Sequence, residues 1–283
     1  MKIFISGADG ALGREMTIIL QREGIDFLAT DTNQLDITDF KKTYEVLLDY
    51  KPDVILHFAA VSDVDKCEDD PEAALRVNAL SNLKLGIIAN KINAKLLYTS
   101  TNFVFDGNSA KPYGEYDQPN PINTYGRTKL LGEKYIKDTC SHHFIVRTSW
   151  LFGAYSKNFI SRFLNSEKKP AHLDTVCDRF ASFTYTRDLA QALLLIIRSK
   201  KYGVFHVVNK GVGSFSDFLL KAREIMKFNT DIRPIQAGKL LLSAQRPKYA
   251  PLASKNYEDL SNQQMRRWED ALADFVGSLS PQS

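Results

Sequence analysis

Short apolar runs alternate with amphipathic stretches through the first half of this chain. Residues 2–6, 26–30, 53–58, 95–99 and 143–148 read as short buried strands, and apolar residues recur at helical spacing through 12–23, 38–49, 71–92 and 124–138. This alternation predicts a parallel sheet with right-handed crossovers: a doubly wound α/β fold with helices on both faces and ligands at the carboxyl ends of the strands. Beyond residue 150 the pattern shortens to a helix near 156–165, another at 187–199, a strand at 203–208, and helices at 215–227 and 262–276. No repeat, low-complexity tract or long linker separates the halves, so the second is expected to pack directly on the first.

Composition narrows the classes without choosing among them. A chain of 283 residues with 44% apolar residues buries a full core. Its 37 basic and 33 acidic residues are interspersed, so no nucleic-acid stripe and no membrane-surface patch stands out. Cys67, Cys140 and Cys177 are odd in number and far apart, without zinc or disulfide spacing. Met1 leads straight into a strand, and polar residues interrupt every apolar run. The expectation is a soluble protein of the cytoplasm, with no nucleic-acid or membrane partner.

Two motifs carry chemistry. The first strand runs into Gly7-Ala8-Asp9-Gly10-Ala11-Leu12-Gly13. Glycines at these places let the backbone turn tightly, let a pyrophosphate approach without meeting a Cβ, and let the next helix pack close to the sheet. The Gly-x-x-Gly-x-x-Gly spacing differs from the usual dinucleotide fingerprint and also suits an ordinary strand-to-helix loop. Asp31, closing the second strand, stands about where an acidic side chain meets an adenosine ribose, and this favours the dinucleotide. The second motif is Tyr125-Gly126-Arg127-Thr128-Lys129, which stacks a phenol and an ammonium on one helix face and makes a proton donor. A solvated lysine beside a half-buried tyrosine is the plain alternative.

Three further segments fall at strand ends. Small residues in His57-Phe58-Ala59-Ala60-Val61-Ser62 leave room for a cofactor or simply pack the core. Asn78 is either a structural hydrogen-bond bridge, the favoured reading, or part of a proton relay. Tyr98-Thr99-Ser100-Thr101-Asn102-Phe103 ends the fourth strand with hydroxyls suited to a carbonyl oxygen held over a nicotinamide.

Together, the glycine turn, the alanine-rich strand end, Ser100-Thr101, Tyr125 with Lys129, and Arg147-Thr148-Ser149-Trp150 resemble the extended short-chain dehydrogenase/reductases. Within that group the chain resembles the dTDP-4-dehydrorhamnose reductase family. Ser-Thr-Asn-Phe-Val-Phe-Asp-Gly at 100–107 is similar to the family's Ser-Thr-Asp-Tyr-Val-Phe-x-Gly, and 123–130 to its Asn-x-Tyr-Gly-Lys-Thr-Lys-Leu. Arg246-Pro247 and the Trp268 helix also have counterparts.

The resemblance implies a dinucleotide-binding Rossmann domain over 1–150, completed by segments from 180–210, and a smaller substrate-binding part over 151–283. It implies NADH or NADPH as cofactor: Gly7, Gly10, Ala11, Leu12 and Gly13 around the pyrophosphate, Asp31, Asp36 and Ile37 beside the adenosine, and Ala60, Val61 and Ser62 on the nicotinamide side. Tyr125 and Lys129 touch both cofactor and chemistry, and Thr101, Asn102 and Trp150 meet the sugar. A homodimer is the assembly considered. Some relatives join protomers through magnesium held by glutamates, and Glu15 falls at a matching place; no companion was found, and no metal is expected.

Two departures bear on the substrate. The family's Asp-Tyr pair after the active-site threonine is Asn102-Phe103, and its Asp-Gln-x-Gly-x-Pro-Thr segment is Asp178-Arg179-Phe180-Ala181-Ser182-Phe183-Thr184. The implied reaction is reduction of the C4 keto group of a nucleotide sugar, with Tyr125 as acid, Lys129 lowering its pKa and Thr101 orienting the carbonyl. Two alternatives remain: a sugar epimerase or dehydratase on the same fold, and a regulatory binding subunit like the β subunit of methionine adenosyltransferase.

Overall fold

The structure is a computed structural model that describes residues 1–166 and 168–279. In chain order the first half runs β1 (Lys2–Ser6), α1 (Ala11–Arg22), β2 (Asp26–Thr30), α2 (Phe40–Tyr50), β3 (Val54–His57), α3 (Val64–Asp69), α4 (Pro71–Leu75), a π-turn (Arg76–Leu80), α5 (Ser81–Lys91), β4 (Lys95–Thr101), α6 (Thr124–Thr139) and β5 (His143–Thr148). Then follow β6 (Leu151–Phe152), α7 (Phe159–Asn165), β7 (His172–Val176), β8 (Thr184–Tyr185), α8 (Thr186–Arg198), β9 (Gly203–His206), α9 (Phe215–Met226), β10 (Asp231–Ile235), α10 (Lys255–Ser261) and α11 (Trp268–Leu279).

Six parallel strands form the main sheet in the order β2-β1-β3-β4-β5-β9. The period of two sends alternate side chains to opposite faces. Ile3 and Ile5 pack with Leu56, Met16, Leu193 and Ile197 under α1 and α8. Phe4 and Ile55 face Leu85, Ile88 and Ile136 under α5 and α6. Fully burying each such side chain contributes about 1.5–3 kcal/mol. The expected doubly wound sheet is therefore present, with strands covered on both sides.

From β1 the chain steps one way to β2, then crosses back to β3 and onward. That reversal leaves a crevice beyond the carboxyl ends of β1 and β3, where ligands of such sheets bind. After β5 the chain leaves the sheet, builds much of a second lobe, and returns as α8 and β9. The lobe's core is aromatic: Phe152, Phe183, Tyr185, Phe218, Trp268 and Phe275 pack together. Its two-stranded parallel sheet, β10 with β7, has no counterpart in the pattern reading. Both strands are largely exposed, so no apolar run marks them. The last helix begins at Trp268 rather than 262, because Asn262, at φ 55°, already ends α10.

Candidate active site

Glycines shape the cofactor wall. At Gly7, φ is +73°, and a Cβ there would lie 2.6 Å from Ala59 N across the β1–β3 crevice. A Cβ on Gly13 would lie 2.4 Å from Gly7 O, so the first turn of α1 is pressed against the loop. Helices α2, α3, α4, α6, α7 and α9 each begin with a side chain accepting from a first-turn amide. Helix α1 begins at Gly10 with no side-chain cap and no acidic residue in its first turn. The amides of Ala11, Leu12 and Gly13 are thus left for an anion, and the cradle fits a dinucleotide pyrophosphate.

Around this cradle the backbone is fixed by buried polar pairs. Ser6 Oγ and His57 Nδ1 lie 2.6 Å apart and tie the ends of β1 and β3. Burial pulls the His57 pKa down to about 3, with the charge of Lys129 acting in the same direction. Asn78 accepts from Val61 N at 2.9 Å and donates to Val61 O at 3.0 Å, which holds the Ala60-Val61-Ser62 wall. The π-turn that carries Asn78 also lets its carbonyl accept from Tyr98 Oη at 3.0 Å and Asn82 Nδ2 at 2.7 Å. Asn78 is the structural bridge favoured above.

Asp31 lies just beyond β2, beside the glycine turn, where Ala8 N donates to Thr30 O. Its carboxylate accepts from Asn33 N and Gln34 N, which orders its own turn. Asp36 does the same for Thr38, and Ile37 is buried in the core. Arg14 reaches back to Asp9 O at 3.2 Å and stands over the Tyr155 ring at 5.7 Å.

The reaction wall begins where β4 meets α6. Asn123 caps α6 by accepting from Gly126 N at 2.8 Å, and its amide donates to Gln245 O at 2.7 Å. Thr124 donates through its amide and hydroxyl to the two oxygens of Glu68, at 2.8 and 2.7 Å. A Cβ at Gly126 would lie 2.1 Å from Phe103 O, so only glycine brings the helix this close to the strand end. Tyr125 is thereby set beside Thr101, whose hydroxyl tempers the phenol's pKa, accepts from Phe103 N at 3.2 Å and donates to Asn102 Oδ1 at 3.4 Å. The Phe103 ring meets Tyr125 edge-on at 5.7 Å.

Lys129, one turn along and 2% exposed, donates to Thr99 O at 2.7 Å and lies 4.1 Å over the Tyr98 ring. Burial lowers its pKa to about 7, against the opposing pull of Glu133 and Cys67. Burial also raises Tyr125 to about 12, only partly offset by the Thr101 hydrogen bond. The expected lowering of the phenol pKa by Lys129 does not occur in this structure: desolvation raises it, and Lys129 is turned to a carbonyl. Tyr125 is protonated at neutral pH, as a proton donor must be.

Asn102 departs from its expected role. It is 2% exposed and donates to Ala250 O at 3.0 Å, so its amide fastens a remote segment to the end of β4. Trp150 stands half-buried at φ 36°, stacked on Phe215 at 4.0 Å and tilted against Phe183 at 5.1 Å. A bulky residue in that left-handed region costs on the order of 1–3 kcal/mol and is held by its surroundings. Glu15, buried, meets Arg187 Nε at 3.9 Å.

Several supports had no local sequence signal. Glu133 is fully buried, pairs with both Arg147 Nε and Nη2, and accepts from Ser100 Oγ at 2.6 Å. Asp65 on α3 holds Arg246 at 2.6 Å and accepts from Ala244 N at 2.9 Å. Two surface concavities, between α1 and α8 and near Lys227, lie away from Tyr125.

A family model for the RmlD substrate binding domain matches residues 1–280. The chain belongs to this family. It is 34% identical to a dTDP-4-dehydrorhamnose reductase of Clostridium acetobutylicum, over 99% of each chain and with a TM-score of 0.94. A Bacillus anthracis dTDP-4-dehydrorhamnose reductase, solved in complex with NADP, is 32% identical over 98% of this chain and 99% of its own, again with a TM-score of 0.94. A dTDP-4-keto-6-deoxy-D-glucose reductase of Streptomyces niveus is 31% identical over 95% of this chain and 94% of its own.

Proposed function

We propose that this protein reduces the C4 keto group of a dTDP-4-keto-6-deoxy sugar, with dTDP-4-dehydrorhamnose as the first substrate to try and NADH or NADPH as reductant. The observation that carries the reading is the meeting of Thr101, Tyr125 and Lys129 beside an uncapped helix start built of glycine. In the bound state the reduced nicotinamide supplies a hydride to the carbonyl carbon. Negative charge then grows on the carbonyl oxygen. Thr101 donates a hydrogen bond toward it, and Tyr125, protonated at neutral pH, gives it the proton that completes the alcohol. Lys129, one turn away on the same helix face, stabilises the phenolate that remains.

The division of labour follows the fold. Residues 1–150 with α8 and β9 hold the cofactor, and the aromatic lobe, led by Trp150, presents an apolar surface to the deoxy-sugar. Asp31 favours NADH, and Arg14 is engaged with Asp9 and Tyr155; the NADP-bound relative supports NADPH as well. We place the activity in the cytoplasm, a reading supported by three free cysteines and by the absence, among the described residues, of any helix long and apolar enough to cross a membrane. The test is a panel of thymidine and uridine diphosphate 4-keto sugars with each reduced nicotinamide, followed at the nicotinamide absorbance. Stoichiometric cofactor consumption supports the reductase and rejects the epimerase. No consumption with any dTDP-4-keto-6-deoxy sugar rejects the reductase.

A further inference from the structure

A half-buried cation without a direct ion pair among the described residues stands at the edge of the proposed substrate wall. Arg179, on the segment between β7 and β8, donates Nη1 to Arg246 O, while its Nε is buried and has no hydrogen-bond partner among the described residues. The adjacent Asp178 tempers its charge but spends Oδ1 on Ala237 N at 2.9 Å. The neighbouring cation, Arg246, is already neutralised by Asp65. Among the described residues Arg179 therefore makes no direct ion pair, and Asp178 beside it is its nearest counter-charge.

Backbone contacts locate it. Phe180 N donates to Lys248 O and Ala250 N to Phe180 O, each at 2.9 Å, so residues 178–182 run beside 246–250. One residue before Arg246, Gln245 O is held by Asn123, two residues ahead of Tyr125. On the other side Phe183 packs against Trp150. Arg179 thus lies on the wall that joins the proton donor to the aromatic sugar platform. Where the family's pattern has aspartate and glutamine, this chain has Asn102 and Arg179, and both changes shift the local charge toward holding an anion.

We propose that Arg179 binds the diphosphate of the nucleotide-sugar substrate, an anion subsite particular to this chain. Nη2, the outer arm of the fork, meets phosphate oxygens while Nη1 stays on Arg246 O. The inference rests on the reductase reading for the sugar; the subsite itself needs only a nucleoside diphosphate.

The test compares wild type, Arg179→Gln and Arg179→Lys by calorimetric titration with dTDP, UDP, thymidine and NADPH, and by steady-state kinetics. Arg179→Gln keeps a donor for Arg246 O and removes the charge. It is expected to weaken dTDP binding roughly 10- to 100-fold, with thymidine and NADPH affinities unchanged, the effect falling on KM and shrinking at high salt. Arg179→Lys should fall between. Arg179→Gln binding dTDP within twofold of wild type, or a wild type that binds neither diphosphate, overturns the proposal. Wild type that binds dTDP, loses it in Arg179→Gln, yet reduces no keto-sugar would sink the reductase reading and leave the subsite standing.

Discussion

The two walls of the cleft are built by different means. The proposed cofactor wall is mostly main chain: the Gly7–Gly13 turn, the open start of α1, and the Ala60–Ser62 stretch pinned by Asn78. The substrate wall is side chains joined across large sequence distances: Asn123 to Gln245, Asp65 to Arg246, Asn102 to Ala250, Trp150 to Phe215. A wall of backbone amides recognises a pyrophosphate whatever surrounds it. One made of distant side chains changes with each substitution, so cofactor binding is the conserved chemistry of such a fold and sugar choice the variable one.

The broadest way to break the comparison is acid, which attacks both walls at once. His57 lies under the cofactor wall, facing Lys129. His206 lies under the substrate wall, facing Arg147, with Glu115 accepting from its amide and Tyr113 O and Ala253 O at its ring. Burial pulls both pKa values from 6.5 to about 3. Between those values the unfolded chain binds more protons than the folded one, so stability falls as pH drops from 6.5 toward 3. Asp65, Glu68 and Asp106, whose hydrogen bonds hold their carboxyls below the usual range, add to the loss lower in that range. Unfolding free energies from urea titrations across this range should fall by several kcal/mol in total. A flat profile would show that neither histidine is buried neutral.

Tyr125→Phe separates chemistry from both walls. It should lower kcat by at least ~10²-fold, with NADPH and dTDP affinities nearly intact. Near-normal turnover would remove Tyr125 as the acid.

The next variant strikes the cofactor wall alone. Gly13→Val drives a side chain into Gly7 O, and roughly 10- to 100-fold weaker NADPH binding is expected, about 1.4–2.7 kcal/mol. Nucleoside diphosphate binding should persist, because the substrate wall does not touch that turn. Equal loss of both ligands would show the walls to be one cooperative unit.

The smallest effect is expected from Asp65→Asn, which loosens the tie between α3 and Arg246. The pair is partly exposed, so about 1 kcal/mol or less is at stake. Substrate KM should rise several-fold with NADPH binding unchanged. A larger effect on NADPH than on substrate would reverse the assignment of this contact.

What could be read from the chain alone was whatever depends on local spacing. The parallel sheet follows from alternating strand and helix patterns, the proposed cofactor wall from glycines on the turn where backbone must come close, and the proposed reaction pair from Tyr125 and Lys129 four residues apart. The tertiary structure decided the rest. It turned Lys129 toward Thr99 O and set Tyr125 half-buried, so that desolvation raises its pKa where a lowering was expected. It placed Asn102 against Ala250 and left the buried Nε of Arg179 without a hydrogen-bond partner among the described residues. Burial and long-range partners set these outcomes, and neither quantity is periodic along the chain; the electrostatics of a site belong to the packed molecule.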